Sequence, residues 1–312
     1  MVRVIITHGF VERLVLLVIG SYLTYYFGSK MMKEITALEL NAGDSSNIQS
    51  KLQKELKKTL DLNIHEKSIL NDVVMKDQLT VSLDDIIGLD HSKKLLQKCL
   101  IGPLNRNKGL DFLPNGIIFH GPPGTGKTML AKALAYELDA TFINFSIASI
   151  ENKLFGESAK LLKALFTVAE KLKPCIVFID ELDGFAGPRN LLDQTHVTGL
   201  KTQLLLHMDG LLGRDGSVIF IGATNMLHNI DPAVKRRMRL HVRVDLPTAE
   251  DITKLIEKTL KVRSSKIGIE CECRNFSCSD IAELCKLAQL ECLSKNKTKV
   301  NVKDVQMALE EF

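Results

Sequence analysis

The sequence predicts an α/β fold: a parallel sheet flanked by helices, followed by a small helical domain. Three observations carry this. From Asp84 onward, short apolar runs alternate with segments of helical periodicity, the pattern of a parallel sheet whose crossovers are helices. A glycine-rich loop joins the first of these runs to the helical segment after it. Beyond Pro247 the strand-like runs stop and only helical segments follow. A chain of 312 residues has room for one large and one small domain, with a core that needs no staples.

Taken in order, the chain first presents a nearly all apolar run from Phe10 to Phe27, with Glu12 and Arg13 as charges near its start. As a helix it rises about 27 Å, close to the thickness of a bilayer core. Tyr22, Tyr25 and Tyr26 crowd its far end, where amphipathic rings favour the lipid interface. Lys30 and Lys33 follow and favour keeping the bulk of the chain in the cytosol, although Arg3 and Arg13 on the other flank weaken that bias. The expectation is an N-terminal transmembrane helix within a membrane anchor at residues 1–30. A cleaved signal peptide would want small residues where Tyr-Leu-Thr-Tyr-Tyr-Phe stands, and a buried core helix would hardly run into a long polar stretch.

Residues 31–83, rich in Lys, Glu, Asn and Ser and interrupted at Asn41 to Ser46, read as a polar linker. Within it Ile48, Leu52, Leu56, Leu60 and Leu62 keep an approximate helical spacing, which fits either an amphipathic helix or a solvated charged one. Residues 84–247 carry the expected sheet, with strands at Ile117 to His120, Thr141 to Phe145, Cys175 to Ile179 and Val218 to Gly222, and a shorter one near Val242 to Val244. A helix from Met129 to Leu138 follows the first strand. Residues 248–312 hold three expected helices, Glu250 to Lys261, Ser279 to Leu293 and Val302 to Glu310.

Composition narrows the partners. Lys and Arg total 41 against 37 Asp and Glu, a net charge of +4 scattered along the chain, too weak a bias to argue for nucleic acid. The seven cysteines, an odd number, lack a paired framework and suggest reduced thiols facing the cytosol. Cys271, Cys273, Cys278, Cys285 and Cys292 contain no C-x-x-C pair, which disfavours zinc, and Cys285 and Cys292 read better as small buried hydrophobes two turns apart.

The chemistry centres on Gly121-Pro122-Pro123-Gly124-Thr125-Gly126-Lys127-Thr128, which fits the phosphate-loop pattern G-x-x-x-x-G-K-[ST]. Its backbone N–H groups can curl around phosphate oxygens, Lys127 can reach the β and γ phosphates, and the Thr128 hydroxyl can ligate Mg²⁺. About 50 residues on, the apolar run Ile176 to Ile179 ends in Asp180 and Glu181. Neighbouring strand ends converge in a parallel sheet, so Asp180 can reach the same metal and Glu181 can orient or deprotonate an attacking water. Asp183 reads as a helix N-cap or a surface carboxylate. Asn225 ends another strand, where its amide can bond the γ phosphate or the water, although Asn also commonly ends strands in turns. Asp231-Pro232-Ala233-Val234-Lys235-Arg236-Arg237 begins a helix at Pro232. Its arginines either pair with acids of their own chain or project toward a phosphate held by a neighbouring subunit.

In this order, and followed by a helical lid, these motifs resemble the AAA ATPase family. Further stretches liken residues 84–312 to the membrane-anchored, thorase-type branch, a mitochondrial outer-membrane extractase of mislocalised tail-anchored proteins. They are Asp85-Ile86-Ile87-Gly88-Leu89-Asp90, Met129 to Ala135, Phe155-Gly156-Glu157-Ser158, Lys171-Leu172-Lys173-Pro174 and Met208-Asp209-Gly210-Leu211. Katanin and spastin share much of the core, which keeps microtubule severing or membrane remodelling as the alternative.

The resemblance implies a P-loop AAA+ domain with a lid. ATP and Mg²⁺ would be held by the phosphate loop with Asp180, Glu181 would act on water, and Asn225 would be the first sensor. Arg236 and Arg237 would be the fingers that reach the next subunit of a homo-hexamer. It also implies a first pore loop at Leu154 and Phe155, with one ring where two aromatics are usual, and a second near His196. Polypeptide clients are implied, at the mitochondrial outer membrane and as a second address the peroxisome. Ile87 stands where a glycine borders the adenine pocket, Cys278 replaces a glycine of the lid motif, and Arg239 stands where proline is usual.

Overall fold

The computed structural model describes residues 62–105, 114, 116–146, 157–186, 195–211, 217–261, 273, 275–295 and 300–312. Leu62 to Phe312 form one compact unit. In chain order the elements are α1 (Ile64–Ile69), β1 (Val73–Val74), α2 (Asp90–Leu96), α3 (Gly102–Asn105), β2 (Gly116–His120), α4 (Lys127–Glu137), β3 (Thr141–Phe145), α5 (Glu157–Lys171) and β4 (Cys175–Ile179). They continue as α6 (Leu182–Ala186), α7 (Thr195–Leu211), β5 (Val218–Thr224), α8 (Pro232–Arg237), β6 (Leu240–Arg243), α9 (Ala249–Leu260), α10 (Cys278–Ser294) and α11 (Val302–Glu311).

The strands form one sheet in the order β1-β3-β4-β5-β2-β6. All neighbours are parallel except β1, which runs antiparallel to β3 with Val73 opposite Ile143 and Val74 opposite Phe142. Strand β4 is buried along its whole length, as a strand covered on both faces must be, which explains its unbroken apolar run. Phe119, Phe142 and Phe178 are fully buried, and the rings of Phe142 and Phe178 stack at 5.8 Å. Helix α4 presents Ala131, Ala133 and Ala135 with Leu130 and Leu134 to the core, small side chains that let it lie close over the sheet.

The lid has its own core, built from Ile252 and Ile256 on α9, Ile281, Leu284, Cys285 and Ala288 on α10, and Val305 and Ala308 on α11. Two of its helices start on side-chain caps: Thr248 accepts from the backbone N–H of Asp251, and Ser277 from that of Asp280. Cys285 and Cys292 are buried, in keeping with their reading as small hydrophobes, and Cys273 is buried as well.

Two expectations shift. Strand β5 continues through Ala223 to Thr224, so Asn225 follows the strand directly. The segment from Leu62 to Leu83, expected within the linker, is folded: Leu62, Ile69, Leu70, Val73, Leu79 and Leu83 are buried. Helix α1 packs on α5. The tie is charged as well as apolar, since buried Glu66 accepts from Lys171 Nζ at 3.0 Å and from the backbone N–H of Asn63 at 2.9 Å. Among the described residues no helix is long and apolar enough to cross a membrane, and the run from Phe10 to Phe27 lies outside them.

Candidate active site

The phosphate loop leaves the end of β2 and enters α4, as its mechanism requires. A side chain at Gly121 would overlap the carbonyl of Val244, and one at Gly124, where φ is +71°, would overlap the Ser277 hydroxyl. Glycine at these two positions is therefore a packing requirement. Thr125 closes the loop by donating its hydroxyl to the Pro122 carbonyl at 2.9 Å.

The Lys127 ammonium donates to the Gly121 carbonyl at 3.0 Å, the Pro122 carbonyl at 2.8 Å and Asn225 Oδ1 at 2.8 Å. Burial pushes its pKa below the ordinary value, against the pull of Asp180 and then Asp183. Thr128 donates to Asp180 Oδ2 at 3.4 Å, so a hydroxyl and a carboxylate from two elements share one spot. Asp180 Oδ1 accepts from the backbone N–H of Glu181 at 2.9 Å. Glu181 is held at φ +51°, a conformation uncommon for a side chain of its kind, and its carbonyl accepts from Gly184 at 3.0 Å.

These groups border a cavity of about 510 Å³, within the usual range for small-molecule sites. Its walls are the loop from Pro123 to Met129, Asp180, Glu181 and Asn225, closed on the lid side by Cys278, Ser279 and Ala282. The lid is docked: Ser279 donates its backbone N–H to the Gly124 carbonyl at 3.1 Å and its hydroxyl to the same oxygen at 3.3 Å. Burial first, and Asp251 second, push the Cys278 thiol above its ordinary pKa.

The remaining expected residues divide. Ile87 is not among those lining the cavity: Ile86 beside it is the buried residue, and the left-handed turn at Gly88 presses this loop against Asp251 at the start of α9. Arg237 is not a free finger, because its Nε and Nη2 donate to the two carboxylate oxygens of Asp209 at 2.6 Å each, and its Nη1 to the Ala233 carbonyl at 3.1 Å. Arg236 is exposed, with no partner among the described residues. Asp183 is not the N-cap of α6 but sits inside its first turn, where it accepts from Thr224. Leu154 and Phe155 lie outside the described residues; His196 falls in the first turn of α7, its side chain outside them. The Asp209 and Ser279 contacts were not expected from the sequence, since both depend on which elements become neighbours.

A phosphate loop between strand and helix, an acidic pair at the end of β4, two places along the sheet from β2, and a docked helical lid define a nucleotide-binding α/β protein of the phosphate-loop class. The family model for the ATPase family associated with various cellular activities (AAA) matches residues 117–248. The chain belongs to the AAA ATPase family and carries that family's ATP-hydrolysing domain.

It is 34% identical over 289 residues to the outer mitochondrial transmembrane helix translocase of Bos taurus, covering 89% of this chain and 80% of that protein. It is 39% identical over 232 residues to spastin of Danio rerio, covering 71% of this chain. The chain spans 40% of that spastin's length. Among solved structures it resembles the FIGL-1 AAA domain, with a TM-score of 0.70 at 26% identity, covering 82% of this chain and 91% of that one. The same domain in complex with ADP gives 0.65 at 28% identity, covering 74% and 84%. A katanin structure described by its self-assembly gives 0.66 at 27% identity, covering 81% and 92%.

Proposed function

We propose that this chain is a membrane-tethered AAA ATPase that uses ATP hydrolysis to pull mislocalised tail-anchored and other membrane proteins out of a bilayer through a central pore. The observation that carries the reading is the similarity to the outer mitochondrial transmembrane helix translocase, which runs through 80% of that protein's length. The apolar run Phe10 to Phe27 ahead of the ATPase domain supports the tether. On this reading the chain assembles as a homo-hexamer on the mitochondrial outer membrane, with peroxisomes as a second location.

The donor set fits a hard divalent cation, because the Thr128 hydroxyl and the Asp180 carboxylate already face one another. When bound, Mg²⁺ neutralises charge on the phosphate oxygens. The loop backbone and Lys127 bind the phosphates. Lys127 has given one of its hydrogens to Asn225, so a γ phosphate that takes over that hydrogen also frees the amide to contact the phosphate or the attacking water. Glu181 orients the water and accepts its proton. Arg236 reaches across a subunit boundary and offsets transition-state charge.

Microtubule severing is the second reading, favoured by the higher identity to spastin. Reconstitution separates the two. The full chain in liposomes should extract a tail-anchored protein on addition of Mg-ATP, Phe155→Ala should extract poorly while retaining ATP turnover, and Glu181→Gln should hold client without releasing it. A chain that cuts stabilised microtubules and leaves the tail-anchored protein in the bilayer would overturn the extraction reading.

A further inference from the structure

Behind the wall of the nucleotide cavity, two side chains join the turn that carries Glu181 to the turn that carries Asn225. Thr224, the last residue of β5 and only 1% exposed, donates its hydroxyl to Asp183 Oδ1 at 2.6 Å. The same hydroxyl accepts from the backbone N–H of Met226 at 2.9 Å. One buried oxygen thus fixes the backbone on both sides of Asn225, through its own residue and through Met226. Asp183 lies two residues beyond Glu181 in the first turn of α6.

A second contact pins the same turn. Leu182, fully buried, lies so close to Gly222 that any side chain at Gly222 would overlap it. Gly222 and Thr224 are two apart on β5 and so share one face of the strand. The first turn of α6 is therefore fastened to β5 at two points, one apolar and one a short hydrogen bond to a charged acceptor. Glu181 immediately precedes those points and holds a left-handed backbone, which persists only where the surroundings over-determine it. Neither Asp183 nor Thr224 is among the residues that line the cavity.

We propose that Asp183 and Thr224 form a positioning pair that holds Glu181 and Asn225 in register across the ends of β4 and β5, so that the water-activating carboxylate and the phosphate-reading amide are set as one unit. The inference rests on the roles assigned above to Glu181 and Asn225. It follows that losing the bond should slow the chemical step without weakening nucleotide binding. Lys127 is tied to the Gly121 and Pro122 carbonyls, and the two bonds that link this loop to the pair's surroundings, Lys127 to Asn225 Oδ1 at 2.8 Å and the Gly121 N–H to the Thr224 carbonyl at 3.3 Å, do not use the Thr224 hydroxyl.

The test uses the full chain with Thr224→Val, which keeps shape and removes the hydroxyl, Thr224→Ser, which restores it, and Asp183→Asn. For each, kcat and KM for ATP, the affinity for a fluorescent ADP analogue and the melting temperature are measured. Thr224→Val should lower kcat about tenfold, the worth of one such hydrogen bond, with ADP affinity changed less than about twofold. Thr224→Ser should recover most of the loss. Asp183→Asn combined with Thr224→Val should be no worse than the weaker single variant.

An unchanged kcat in Thr224→Val overturns the pair, and so does a loss of ADP affinity in proportion to kcat or a failure of Thr224→Ser to recover turnover. Glu181→Gln, measured alongside, separates this from the underlying reading. Normal turnover in Glu181→Gln removes the assigned role of Glu181 itself, whereas loss of turnover there with normal Thr224→Val removes only the positioning pair.

Discussion

Arg236 and Arg237 stand side by side on α8, yet one is bound and the other is free among the described residues. The Arg237–Asp209 pair is partly exposed, so it is worth at most about 1 kcal/mol, but its two-pronged geometry fixes where α8 points. Arg236→Ala should therefore reduce ATP turnover of the assembled protein by about 10³, the scale of a lost arginine finger, with nucleotide affinity unchanged. Arg237→Ala should cost much less, and Asp209→Asn should match it. Steady-state ATPase assays decide this, and equal losses for the two arginines beside a normal Asp209→Asn would refute the division of labour. The arginine pair was legible in the sequence, as were Lys127, Thr128, Asp180 and Glu181, because each belongs to a local pattern. Asp209 was not, since 28 residues separate it from Arg237 and only the packing of α7 on α8 brings them together.

Helix α1 and strand β1 illustrate the same limit at the next scale. Lys, Glu and Asn between Leu62 and Leu83 gave the composition of a linker, and two valines are too short a run to read as a strand. What the composition hid is that Glu66 spends its charge on Lys171 and on capping Asn63, leaving Ile69 and Leu70 free to be buried. Leu70 is fully buried, so Leu70→Ala should destabilise the domain by about 2–5 kcal/mol, read by urea denaturation. A chain shortened to residues 84–312 should melt lower than one comprising 62–312. Equal melting would mean that the segment is only draped on the surface. The main strands and lid helices were legible to within a few residues, because their apolar periodicity is strong and their caps are explicit, as at Thr248 and Ser277.

The whole molecule depends on surfaces that no single segment encodes. The cavity exists because α10 of the lid meets the phosphate loop, a meeting recorded in the bond from Ser279 to Gly124 and invisible in either stretch alone. Stability should likewise respond to pH as a property of the assembled domain. Burial lowers the pKa of His207, stacked on Phe166 at 4.8 Å, with Lys163 adding to the effect. Burial also lowers that of His120, with His241 and Arg243 behind it and Asp245 opposing. Both favour the neutral ring when folded, so their contribution is present above the ordinary value of 6.5 and is lost as pH falls from there toward the lowered values. Melting temperature should drop between pH 7.5 and 5.5, and His207→Gln should flatten the drop. An unaltered slope in that variant would remove His207 as a cause.

The antiparallel pairing of β1 with β3 has a mechanical consequence. Any tension reaching the folded unit from residues before Leu62 is felt first by α1 and then by two residue pairs at the very edge of the sheet. Rupture there would unspool residues 62–83 and give about 75 Å of slack at roughly 3.4 Å per residue. The parallel strands that carry the nucleotide groups would stay paired meanwhile. The segment is placed to act as a fuse, yielding before such tension deforms the nucleotide cavity.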